Sequence, residues 1–245
     1  MRQDRAAAIR VAVLLWCGAA LAAAAPFAGL GRYSAAIVAG VSAFWFLHVM
    51  RPQGVRFVAA VLVVWAFTHS AAVIGLTLWS PERAGAVIPH GVEYWSEMRP
   101  FVVDGSGVEA DPYRFVPLHL RHLLGFAVLS AISGGLAGLV LGAFLTGYMS
   151  YYVAQVMTHA SHPLIAGLLA WHPWAVIRVV GFILLGISLS RLWPERKDLA
   201  GWWRTQRGQL ALALGLWSFD LILKTALAPW WSALLRTAGG VRITH

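Results

Sequence analysis

Cysteine and lysine are almost missing from this chain, and each scarcity excludes something. The single cysteine, Cys17, rules out an intramolecular disulfide and any metal site built from cysteines. Its setting, "LLWC", puts Trp16 where a lipoprotein signal needs a small residue, which argues against lipid attachment there. Of the 19 basic residues only Lys197 and Lys224 are lysine, and alanine is abundant, a compositional mark of a GC-rich bacterial genome. Charge of either sign is scarce as well: 12% of residues against about 25% in an average soluble domain. Several motifs are absent too. There is no GxSG, no HExxH and no Walker A loop. "LSAISGGLAG" lacks the glycine two residues before Ser133 that a serine site of that type requires.

What fills the chain instead is apolar. Hydrophobic residues make up 59% and the mean hydropathy is +0.68. A soluble fold cannot hide that much apolar surface, whereas a bilayer accepts it in helices of about 20 residues. Runs of spanning length fall at Ile9 to Phe27, Ser34 to Met50, Val55 to Trp79, Leu123 to Leu145, Pro173 to Trp193 and Gln209 to Trp231. The first follows "MRQDRAAAIR" and has the outline of a signal peptide, but reads as a retained span. Short links, "GLGRY" and "RPQG", join the first three runs into an up-down-up unit. The chain therefore divides into a three-helix membrane unit (1–79), an acidic extramembrane loop (80–122) and a second membrane unit (123–245).

Six of the ten acidic residues lie in that loop: Glu82, Glu93, Glu97, Asp104, Glu109 and Asp111. Lysine and arginine beside spans favour the cytoplasm. Arg2, Arg5, Arg10, Arg51 and Arg56 thus place the N-terminus inside and the loop outside. "RLWPERKDLAGWWRTQRG" disagrees, because six spans put its basic residues outside. A seventh span through 148–170 would remove the conflict, but "YMSYYVAQ" and "THASHP" are poor spanning material.

Helical periodicity continues over 123–158 and again over 164–193. At about 1.5 Å per residue these reach roughly 54 and 45 Å, beyond the ~30 Å hydrocarbon layer, so two antiparallel helices are expected to project from the bilayer. Their junction, "THASHP", carries His159 and His162, with His172 near the membrane surface. Within the first helix Ser130, Gly134, Gly138, Gly142, Thr146, Ser150 and Ala154 recur at every fourth position. Small-xxx-small ridges bring membrane helices into close contact, so this ridge predicts packing, either inside the chain or against a partner subunit.

His119 with His122 and His159 with His162 form two HxxH pairs, a spacing that can bind metal. On one long helix they would lie at opposite ends, too far apart to share an ion. His48 and His69 fall inside spans and are candidate axial ligands of a b-type haem, although at different depths. Arg178, Asp220 and Lys224 are intramembrane charges, which normally pair or mark a pathway. Asp220 and Lys224, spaced i, i+4, are expected to neutralise one another. "SFDLILKTA" resembles the DxxxK pattern in the last helix of microbial rhodopsins. Over about ten residues that resemblance implies Lys224 as a retinal Schiff base and Asp220 as its counter-ion. The third-helix arginine-aspartate motif of that family has no match, and the long acidic loop does not suit it.

Most of the thirteen tryptophans fall near span ends, where their rings favour headgroups. The +9 charge sits on short links and chain ends, so nucleic-acid binding is unsupported. The expectation is an all-α polytopic bundle of the bacterial inner membrane with about six spans. Its partners are lipid and other membrane subunits, docked through the glycine ridge of a non-enzymatic transporter or complex component. A redox or metal protein using histidines, with haem or a metal ion as cofactor, is the alternative.

Overall fold

Backbone amides surrounded by hydrocarbon have no water to bond, and a helix satisfies them within its own segment. In the computed structural model, which describes residues 2–242, the chain is accordingly an all-α membrane bundle without strands among the described residues. Its helices are α1 (Arg2–Ala24), α2 (Ser34–Val49), α3 (Val55–Trp79), α4 (Pro81–Val87), α5 (Gly91–Asp104), α6 (Pro112–Ile132), α7 (Leu136–Thr158), α8 (Pro163–Ala170), α9 (Pro173–Ser190) and α10 (Leu199–Thr237). Six of them, α1, α3, α6, α7, α9 and α10, are long and apolar enough to cross a membrane, and α2 is a shorter apolar helix.

The run 123–158 is not one helix. Ser133, Gly134 and Gly135 form a turn, with Gly134 at φ 64° and Gly135 at φ 102°. Two successive left-handed residues reverse the chain, a conformation that glycine adopts without the steric penalty of a Cβ. α6 and α7 therefore lie side by side, and α6 begins well inside what the sequence presents as a watery loop. The second long run divides too, into α8 and α9, at Trp171 and His172. Each piece is short enough to fit the bilayer, which removes the length argument for projecting helices.

Contacts between distant turns sort the element ends into two groups. Arg51 Nη2 donates to Ser190 O at 3.0 Å and Trp193 Nε1 donates to Ile132 O at 3.1 Å. The α2–α3, α6–α7 and α9–α10 junctions thus share one end. At the other end Arg83 donates to Phe27 O, Arg236 donates to Val102 O at 3.4 Å, and the amide of Arg242 donates to His159 O at 2.9 Å. Among the described residues the chain runs along the bundle seven times, by α1, α2, α3, α6, α7, α9 and α10. The first end is basic, with Arg51, Arg56, Arg191, Arg196, Lys197, Arg204 and Arg207 against Glu195 and Asp198. The second holds α4, α5, α8 and the six acidic residues from Glu82 to Asp111. Seven passes put "RLWPERKDLAGWWRTQRG" beside the "RPQG" turn, and the conflict over basic residues disappears.

Packing follows side-chain size. On α1 the buried positions Ala8, Ala12, Leu15, Ala19 and Ala22 form a stripe against α2 and α3, while Leu14 and Leu21 face outward. One close crossing is between α2 and α7: a Cβ on Gly40 would meet the Val140 backbone at 2.6–2.7 Å. A second core at the acidic end joins α5, α7, α8, α9 and α10 around Phe101, Tyr152 and Trp174. Around that core the charges collect.

Candidate functional site

α9 carries Arg178 and α10 carries Asp220 and Lys224 one turn apart. Asp220 does not pair with Lys224. It accepts two bonds from Arg178, Nε to Oδ2 at 2.7 Å and Nη2 to Oδ1 at 3.0 Å. The planar guanidinium fork matches both carboxylate oxygens, which a point-charge ammonium cannot do. Lys224 instead reaches out of the spanning helices: its Nζ lies 2.6 Å from Glu109 Oε2 and 4.1 Å from the centre of the Phe115 ring. Asp220 and Lys224 are 0% exposed and Glu109 is 6% exposed. Two cations and two carboxylates thus meet inside the bundle with no net charge, all buried but the partly exposed Arg178.

Glu109 sits in a single 3-10 turn, Val108–Ala110, between α5 and α6. That turn brings one residue of the "acidic loop" into the core. Burial pushes its carboxyl group up, but Lys224 and then Arg178 outweigh burial and hold it below the ordinary value. The sequence places Glu109 among the loop acids, beside His119 and His122, and does not pair it with Lys224, although a signal existed. Three intramembrane charges, two positive and one negative, leave a positive charge unmatched, and a low-dielectric interior demands one more carboxylate.

Aromatic and imidazole groups pack around the four charges. Tyr94 on α5 stacks near Tyr148 and Tyr152 on α7, with ring centres 4.7 and 5.9 Å apart. His172 lies flat on Trp174 at 4.7 Å and edge-on to Phe101 at 5.5 Å. Burial keeps its imidazole unprotonated, with a pKa pulled down to about 3. Its Nε2 lies 3.5 Å from the Tyr152 hydroxyl, at the limit of a hydrogen bond.

The α6–α7 hairpin places both HxxH pairs in the same half of the molecule, not at opposite ends. His119 Nδ1 bonds Phe115 O at 2.7 Å while its buried Nε2 has no partner. His159 bonds Gln155 O at 2.8 Å and stacks on Trp95, and His162 is exposed. Among the described residues no three His, Cys, Asp or Glu side chains converge in a metal-binding group. His48 bonds Phe44 O and Arg51 at the basic end, and His69 meets Ala19 O in mid-bundle, so the two imidazoles do not face each other. Lys224 is closed in by Glu109 and Phe115 and is not among the residues lining the cavity beside Arg178, an arrangement unlike the retinal lysine that the DxxxK resemblance implies.

The small-residue ridge faces its own chain. A Cβ on Gly138 would overlap Ser130 Oγ across the hairpin, and one on Gly142 would touch Phe126. Thr146 Oγ1 bonds Gly142 O, and Ser150 Oγ meets Ser70 Oγ on α3 at 2.7 Å. Gly134 belongs to the turn.

Beside the charges lies a cavity of about 60 Å³ between α3, α6, α7 and α9. Arg178, His122 and Tyr148 supply its polar wall, and Trp65, Phe126 and Phe182 supply apolar wall. No protein-family model, curated protein or solved structure matches this chain.

Proposed function

We propose that this chain is a non-enzymatic inner-membrane protein of the transport class that receives its solute in the cavity beside Arg178. The observation carrying this reading is the Arg178 guanidinium. Asp220 uses only its Nε and Nη2, and the side chain, 15% exposed, stands in the cavity wall. Charged groups in spanning helices are expensive, and those that border a cavity mark solute or ion pathways. The neighbouring Glu109–Lys224 pair cancels the remaining charge, so the site offers a donor group without a net field. Lysine and arginine favour the cytoplasm; the basic end then lies inside and the charge cluster lies toward the outer face. Docking onto other subunits through the ridge loses its support, because the ridge is occupied within the chain. The histidine-based redox reading has no specific geometry behind it.

The test is reconstitution into proteoliposomes with an entrapped pH dye, challenged with inward gradients of small organic and inorganic anions. Parallel electrical recording detects charge-carrying flux. Wild-type protein should produce flux with at least one of these solutes, and Arg178→Gln/Asp220→Asn, which removes both partners, should abolish it. Wild-type vesicles indistinguishable from protein-free vesicles across the set would overturn the reading.

A further inference from the structure

The cavity beside Arg178 adjoins a second one. A cavity of about 20 Å³ lies between α3 and α9, walled by Phe67, Trp171 and Val176, and has no polar surface. Ala66, Thr146 and Val179 line both cavities and form the partition between them. Phe67 is 48% exposed, so this second space opens toward the lipid-facing side of the bundle. Polar groups thus line the inner cavity, and an apolar cavity adjoins it on the lipid-facing side.

The inner cavity is rich in hydrogen-bonding capacity that the protein does not use. Neither His122 nor the Tyr148 hydroxyl has a side-chain hydrogen bond among the described residues, and Arg178 Nη1 takes no part in the pair with Asp220. Guanidinium and phenol N–H and O–H groups donate, while a neutral imidazole offers one donor and one acceptor. The complementary group is a carboxyl: its carbonyl oxygen accepts from Arg178 and Tyr148, and its hydroxyl donates to His122. Entry with its proton keeps the four-charge site neutral, which a low-dielectric interior favours. Size points the same way. The inner cavity, about 60 Å³ with mostly apolar walls, suits a small polar group followed by a single chain.

We propose that the paired cavities bind a single-chain lipophilic carboxylic acid, with its carboxyl group against Arg178, Tyr148 and His122 and its chain passing Ala66 toward lipid between α3 and α9. This rests on the reading of the cavity as the solute site.

Trp65, in the wall of the inner cavity, provides the readout. Detergent-solubilised protein is titrated with a bromo-octanoic acid, whose bromine quenches nearby indole. Wild type should show saturable quenching that Trp65→Phe lacks. Octanoate should compete, whereas octan-1-ol and phosphatidylglycerol should not. Tyr148→Phe should weaken binding about tenfold, the scale of one hydrogen bond to a carboxyl. Ala66→Leu, which fills the partition, should weaken octanoate far more than acetate. Non-saturable quenching shared by Trp65→Phe, or equal competition by the alcohol, would overturn the proposal. Stronger competition by phosphatidylglycerol would overturn it in favour of a lipid headgroup. Binding is measured without flux: saturable binding with no flux would refute transport alone, and flux of another anion without binding would refute the carboxylic acid alone.

Discussion

Arg178 and Asp220 meet across the α9–α10 contact through two hydrogen bonds, 2.7 and 3.0 Å long, and this takes Asp220 from the lysine one turn further along its own helix. Charge pairing in this bundle therefore crosses between elements. Breaking a buried pair by removing one partner costs about 3–5 kcal/mol, because the survivor is left uncompensated. Arg178→Gln and Asp220→Asn should each destabilise on that scale in detergent unfolding, and the double variant should lose much less than their sum. The same pattern should hold for Glu109→Gln with Lys224→Met. A larger coupling between Asp220 and Lys224 than between either and its observed partner would contradict the arrangement.

Gly138 and Gly147 stand on the same helix in opposite circumstances. A Cβ on Gly138 would overlap Ser130 Oγ, whereas Gly147 has nothing within 4 Å. Overpacking typically costs about 1–3 kcal/mol, so Gly138→Leu should lower monomer stability by that amount. Gly147→Leu should stay within about 0.5 kcal/mol of wild type. Thermal unfolding of the two purified variants decides it; equal stability would remove the α6–α7 packing role from Gly138.

His172 predicts acid sensitivity. Its ordinary pKa of 6.5 falls to about 3 in the folded protein, first through burial, with Lys224 and Arg178 adding to it and Glu109 opposing. Between those values the unfolded chain binds the extra proton, so stability falls as pH falls, by at most about 1.4 kcal/mol per pH unit. Above 6.5 this group contributes no slope. Denaturant midpoints measured from pH 7 downward should decline less steeply in His172→Phe than in wild type.

The proposed orientation, with the basic end of the seven-pass bundle inside, predicts where impermeant reagents reach. In a Cys17→Ser background, Glu93→Cys should react with a membrane-impermeant maleimide on intact cells, and Lys197→Cys only after permeabilisation. Both positions are exposed in the fold. Labelling of both from outside would reject the seven-pass arrangement.

The membrane class and most spans were readable from hydropathy, because apolar runs such as 55–79 leave few alternatives to a helix in lipid. The α6–α7 hairpin was not. Its two halves share one apolar period, and "ISGGL" looks like part of a packing ridge until the left-handed φ values of Gly134 and Gly135 are known. Missing that turn displaced both HxxH pairs and hid the start of α6 at Pro112. Arg178, Asp220 and Lys224 were legible as costly charges, but their pairing was not, since i, i+4 spacing says nothing of neighbouring helices. Glu109 was hidden by its company: five other acids in the same segment are typical of solvated loops.

The Glu109–Lys224 contact ties residue 109 to residue 224 and so bears on how the protein is made. A ribosome delivers α10 after α1 to α9, and until then Glu109 and Arg178 wait in the membrane environment with neither of their partners synthesised. α10 in turn arrives carrying two charges, each of which costs about 2.5–3.5 kcal/mol at the centre of an isolated spanning helix. Completion of the four-charge cluster is thus deferred until α10 has been made, and a chain truncated before residue 220 lacks the partners of both Glu109 and Arg178.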